Sequence, residues 1–274
     1  MSKVELHYGS ATDVGRVRDV NEDALLADAP VFVVADGMGG HEGGDVASAF
    51  VVEEFRALAG QDYDAATGAE TVAATLRACQ QRIADYGAQQ VGRERGRKWY
   101  AGTTAVVALL VHDDEGPRWL LANLGDSRVY RYGRDGLEQV STAHRVVQEL
   151  VDAGRITPED AAIHPERHVI TRALGGPDHK EADYFAVPLD SAARLLLCTD
   201  GVTGMIDDAE IETILRETED PGEAADRMVA AAVAAGGEDN ATAVVVDVVG
   251  SAAEATDAAA PNRASLEDKL GALP

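Results

Sequence analysis

Four stretches of this chain follow one pattern, an apolar β-type run with an aspartate at its end: VFVVA into Asp36, WLLANLG into Asp126, LLLCT into Asp200, and Asp239 just ahead of ATAVVVDVV. Aspartate is depleted in strands. A carboxylate at the end of a buried strand costs free energy unless something positive meets it. A divalent cation answers that need, because hard ions take carboxylate, carbonyl and water oxygens as ligands. Strand ends gathered at one sheet edge supply such groups from distant parts of a sequence. The alternative is that each aspartate opens a turn or caps a helix through its own side chain. Gly37, Gly125 and Gly201 each adjoin one of these aspartates, and glycine lets backbone approach an ion closely, which favours an oxygen-ligand metal centre.

Composition narrows the classes. With 274 residues, 46% of them hydrophobic, the chain buries a real core as one large domain or two small ones. Lys plus Arg number 24 against 48 Asp plus Glu, a formal charge of −24, so nucleic acid and anionic membrane surfaces are repelled. No run approaches the ~18 apolar residues that span a bilayer, and MSKVELHYGS lacks a basic stretch followed by an apolar one. A cytoplasmic protein is expected. Cys79 and Cys198, the two cysteines, both fall in apolar patterns and are expected reduced and buried.

Strands are expected at VELHYGSA, DALLAD, VFVVA, TTAVVALLV, RWLLANLG, RVYRYGR, YFAVPL, RLLLCT and ATAVVVDVV, with TTAVVALLV to RVYRYGR as one antiparallel meander. Three- and four-residue apolar steps predict helices over 45–58, 71–86, 209–215 and 223–235. Residues 143–183, with a short helical pattern and Pro158, Pro165 and Pro177, read as an irregular excursion or lid. Two sheets covered by helices follow, an α/β (α+β) four-layer αββα sandwich of antiparallel sheets. The domain spans 1–250, and the Ala-rich tail 251–274 is expected to be disordered.

Seven strings in order carry a resemblance: RDVNED (18–23), VADGMGGH (34–41), GTT (102–104), GDSR (125–128), TRALG (171–175), CTDGVTG (198–204) and DNAT (239–242). Over residues 5–249 the chain resembles the metal-dependent protein phosphatases of the PPM, or protein phosphatase 2C, type in their bacterial form. That resemblance implies hydrolysis of phosphoserine and phosphothreonine in proteins by a water activated at a binuclear Mn2+ or Mg2+ centre, opposing a Ser/Thr kinase. Asp36, Asp200 and Asp239 are the implied ligands, with the Gly37 carbonyl, and with Glu22 and Asp23 nearby. Asp126 matches the aspartate that holds a third, weaker ion with Asp200. Arg18 matches the phosphate-binding arginine, a role suited to a bidentate guanidinium; its alternative is a surface salt bridge to Asp19, Glu22 or Asp23. Asn21 and Asn240 are expected to hold the carboxylates. A monomer acting on phosphoproteins is implied; the competing reading is a phosphatase-like binding module that has lost catalysis.

Two departures stand out. Met38 follows Asp36–Gly37 where many eukaryotic members carry a histidine, which leaves His41 as a candidate acid beside a plain loop-bonding role. Where bacterial relatives read T-x-D-H-S, this chain reads STAHR (141–145), with Ala143 and Arg145 at the changed places. Altered lid geometry or substrate preference is the expected consequence.

Overall fold

The computed structural model describes residues 4–39, 43–93, 101–114, 116–176, 180–189 and 192–249. Its strands are β1 (Glu5–Asp13), β2 (Ala24–Asp28), β3 (Val31–Ala35), β4 (Gly37–Met38), β5 (Gly102–Thr103), β6 (Ala105–Asp113), β7 (Gly116–Leu124), β8 (Arg128–Gly133), β9 (Gly136–Gln139), β10 (Asp183–Pro188), β11 (Arg194–Cys198) and β12 (Ala241–Val249). Its helices are α1 (Gly44–Arg56), α2 (Ala65–Arg93), α3 (Val146–Asp152), α4 (Pro158–Ile163), α5 (Asp200–Thr203), α6 (Asp208–Glu217) and α7 (Pro221–Ala235). One five-stranded sheet runs β1-β12-β11-β8-β9, the other β10-β7-β6-β3-β2, and β4 pairs with β5.

Period-two alternation sorts the strand residues into layers. Val31, Val33 and Ala35 of β3 and Ala105, Val107, Leu109 and Val111 of β6 pack under Val51 and Phe55 of α1 and Val72, Leu76 and Ile83 of α2. Their neighbours Phe32, Val34, Val106, Ala108 and Leu110 point the other way, onto Leu195, Leu197, Val244 and Val246. The far faces of β11 and β12, through Leu196, Cys198, Ala243 and Val245, meet Ile211 and Ile214 of α6 and Met228 and Val229 of α7. Because both faces of each sheet are covered, these strands read as continuous apolar runs. Helices, sheet, sheet and helices make the expected αββα sandwich. The Phe32 ring joins its sheets, edge-on to Tyr8 of β1 at 5.1 Å and to Trp119 of β7 at 5.9 Å.

One expectation is corrected. The run from TTAVVALLV to RVYRYGR is not a single meander: β6 and β7 form a hairpin in one sheet, and β8 pairs with β11 in the other. The turn at Gly125–Ser127 carries the chain across the sandwich, since the inward residues of β7 and β8 serve opposite walls of the same inter-sheet core. The second helix is also longer than its apolar pattern, reaching back to Ala65. Between β9 and β10 the described residues form α3 and α4, anchored by bridges of Arg145 with Ile170 and of Thr103 with Leu174. The tail 251–274 lies outside the described residues.

Candidate metal centre

Antiparallel register decides where the strand ends fall. Cys198 of β11 sits opposite Ala243 of β12, Val34 of β3 opposite Val106 of β6, and Leu124 of β7 opposite Ala105. The C-terminal ends of β3, β7 and β11 and the N-terminal end of β12 therefore open on one edge of the sandwich. Asp36, Asp126, Asp200 and Asp239 lie within two residues of those ends. Capping explains other aspartates: Asp207 and Asp220 accept backbone N–H groups at the starts of α6 and α7.

The gathered carboxylates feel one another. Burial first, then the charges of Asp23, Asp200, Asp126 and Asp239, push Asp36 well above the ordinary carboxylate range. Burial likewise raises Asp23 to about 7 against hydrogen bonds with Thr242 and Thr199. Asp200, in hydrogen-bond contact with Asp36, is raised to about 6 by burial and by Asp126, with Arg145 opposing. Like charges crowded this closely need protons or cations. An all-oxygen donor set of this kind fits Mg2+ or Mn2+.

Backbone contacts hold the arrangement. The Asp36 carbonyl accepts the Thr104 N–H at 2.9 Å and the Thr103 hydroxyl at 2.9 Å, while the Asp36 N–H donates to Thr104 Oγ1 at 3.0 Å. That is what the GTT string does. Gly37 donates its N–H to the Glu22 carbonyl at 3.2 Å, and a Cβ there would stand 2.3 Å from the Gly44 carbonyl oxygen. Arg18, with its side chain 49% exposed, donates from Nη2 to Asp239 Oδ2 at 2.7 Å. It is paired neither with Asp19 nor with Asp23 but with a carboxylate 221 residues away, at the mouth of the cluster.

A family profile described as Protein phosphatase 2C matches residues 16–235. The chain belongs to the protein phosphatase 2C family. It is 36% identical over 251 residues to the serine/threonine phosphatase stp of Listeria innocua, covering 88% of this chain and 96% of that one. It is 41% identical over 250 residues to the serine/threonine protein phosphatase PstP of Mycobacterium tuberculosis, of which it spans 45%. The PstP catalytic domain, solved in complex with two manganese ions, superposes with a TM-score of 0.77 at 35% identity, over 90% of this chain and all of that one.

Within this protein phosphatase 2C chain, two asparagines act differently from expectation. Asn240 accepts the Glu22 N–H at 2.8 Å and donates to the carbonyls of Val14 at 2.9 Å and Val20 at 3.0 Å. Asn21 accepts the Asp23 N–H at 3.1 Å and donates to Thr12 at 2.8 Å. Each side-chain amide offers both donors and acceptors, so these amides fasten the backbone of the 14–23 loop to β12 and β1, while the one bond to a carboxylate comes from the Asn240 backbone N–H, which donates to Asp239 Oδ1 at 2.8 Å. Asp23 is instead held by Thr199, whose hydroxyl donates to Oδ2 at 2.9 Å.

Three further residues escaped the sequence reading. His144, only 5% exposed, accepts the Gly125 N–H on Nδ1 at 3.0 Å and turns Nε2–H to Asp183 at 3.0 Å. Arg172 donates to the same Asp183 at 2.9 Å. Although burial works against it, these two partners lower the Asp183 carboxyl below its ordinary range. The His144 chain fixes the Gly125–Asp126 turn; its only sequence signal was its place inside the departed string STAHR. His41 lies outside the described residues.

Among the described residues, no three His, Cys, Asp or Glu side chains are already closed on one point. Arginines meet three of the aspartates: Arg18 pairs with Asp239, and Arg145 with both Asp126 and Asp200. The raised carboxyls give this a measurable consequence. Between the ordinary value of 3.8 and about 6 to 7, the folded chain binds more protons than the unfolded one, so metal-free stability falls as pH rises through that window. Saturating Mn2+ at about pH 7.5 should raise Tm by roughly 5–10 °C, and by less at about pH 5. Thermal-shift curves at the two pH values check this, and an equal shift at both would contradict it.

Proposed function

We propose that this chain hydrolyses phosphoserine and phosphothreonine esters in proteins, using divalent ions at the Asp36–Asp200–Asp239 cluster. The observation that carries the reading is the meeting, at one sheet edge, of four mutually repelling aspartates with a half-exposed arginine at their rim. Asp36, Asp200 and Asp239, with the Gly37 carbonyl and with Asp23 and Glu22 beside them, would hold Mn2+ or Mg2+. When bound, such ions make water nucleophilic near neutral pH and neutralise charge on the phosphoryl oxygens.

The chain's own groups supply the rest. Arg18 presents a planar fork able to bind two phosphate oxygens at once. Thr103 and Thr104 pin the Asp36 backbone, and Thr199 orients the Asp23 carboxylate. The substrates in this reading are phosphorylated proteins, modified by a Ser/Thr kinase whose action the enzyme reverses, and the enzyme works in the cytoplasm as a monomer. No helix among the described residues is long and apolar enough to cross a membrane. The Arg145 pairs give the binding-module reading its one specific support, since they occupy two of the carboxylates.

Purified protein with excess Mn2+ is expected to hydrolyse p-nitrophenyl phosphate and a phosphothreonine peptide, and chelation to abolish both activities. Failure on both substrates would sink the enzymatic reading. Replacing Arg18 by Ala should lower kcat/KM by about 10²-fold, the scale of losing one preorganised charge-stabilising donor. Lysine should recover little, because an ammonium lacks the fork. A kinetic comparison of wild type, R18A and R18K decides it.

A further inference from the structure

The altered string STAHR places a guanidinium where the resemblance led us to expect a metal ion. Arg145 donates from Nε to Asp126 Oδ2 at 2.6 Å and from Nη2 to Asp200 Oδ2 at 2.8 Å. The two nitrogens of one planar group thus serve two different carboxylates. Asp126 is 1% exposed, and its other oxygen, Oδ1, is buried without a hydrogen-bond partner. Its compensation therefore depends on Arg145, whose own side chain is 18% exposed. Backbone geometry fixes the arginine from both sides: it is the residue before α3, its N–H donates to the Ala143 carbonyl at 3.0 Å, and it bridges to Ile170.

We propose that Arg145 is a built-in cation that takes the place of a third metal ion between Asp126 and Asp200, and that it ties the segment after β9 to the centre. The inference rests on the metal-centre reading above. A divalent ion entering there would have to displace the guanidinium or sit against a like charge at contact distance. Residues that would hold a third ion are present, but one oxygen of each is already taken by the guanidinium. The excursion from Arg145 onward is then fastened to Asp126 and Asp200 by its own side chain, with no need of a metal whose occupancy varies with supply.

The test is anomalous diffraction from Mn2+-soaked crystals of the wild-type chain and of Arg145→Ser. In the wild type, peaks are expected beside Asp36 and Asp239, with none between Asp126 and Asp200 and the guanidinium in place. In R145S an additional peak should appear between those two aspartates, and equilibrium dialysis should find one more ion bound per chain than in wild type. A manganese peak there in the wild type overturns the proposal, as does R145S with no added ion. If R145S does not fold, Arg145→Lys serves. One ammonium does not span both carboxylates as the fork does, so partial occupancy is expected, and none would overturn the proposal. Absence of peaks beside Asp36 and Asp239 in every crystal is a different result, and removes the metal-centre reading itself.

Discussion

Asp36→Asn should abolish turnover while leaving the metal-free fold more stable than the wild type. Loss of a ligand that serves the reacting centre forfeits several kcal/mol of charge stabilisation, which corresponds to roughly 10³-fold or more in kcat. The stability change has the opposite sign. Asp36 is buried among Asp23, Asp200, Asp126 and Asp239, which hold its carboxyl well above the ordinary range. A neutral amide removes that repulsion and is able to donate a hydrogen bond to Asp200. A Tm gain of about 2–4 °C corresponds to ~1 kcal/mol in a domain of this size. Such an exchange of stability for function is common where active sites crowd like charges. Steady-state kinetics and thermal unfolding of chelated protein, measured on the same preparations, test both halves. Retained activity would remove Asp36 from the centre, and a lower metal-free Tm would contradict the electrostatic account.

Gly201→Ala should damage the fold and the site together. A Cβ at this position would stand 1.8 Å from the Asn240 carbonyl oxygen and 2.8 Å from its carbonyl carbon. Both obstacles are backbone, so no side-chain rotation relieves the clash. Accommodation requires α5 to move away from the start of β12, where Asp239 and Asn240 lie, and Asp200 moves with α5. Overpacking of this kind costs about 3 kcal/mol, or a Tm fall of roughly 6–12 °C. Turnover should drop with it even in the fraction that folds, because Asp200 and Asp239 are displaced relative to each other. Thermal unfolding and activity per folded molecule measure the two effects; a G201A protein with unchanged Tm and turnover would show that the close approach is not required.

Much of this was legible along the chain because its period was short. The runs VFVVA and AVVALLV announce strands buried on both faces, and three- and four-residue apolar steps announce α1, α2, α6 and α7. The aspartates betray themselves by being costly at strand ends. Other features had no local signal. Nothing in the sequence neighbourhood of Asn240 indicates that its amide clips Val14 and Val20, and nothing near β7 marks the point where the chain crosses to the other sheet. Arg145 was visible as a changed residue, but its two partners lie 19 and 55 positions away.

The sequence by itself determined the main strands and helices, that the sandwich is layered, and which carboxylates are the candidates for the chemistry. Each of these follows from side-chain periodicity or from the cost of burying one charged group, quantities that a few neighbouring residues fix. Tertiary structure alone decided which cation answers each carboxylate: Arg18 for Asp239, and Arg145 for Asp126 and Asp200. Electrostatic pairing depends on distance in space, and here that distance is set by antiparallel register between strands far apart in the chain.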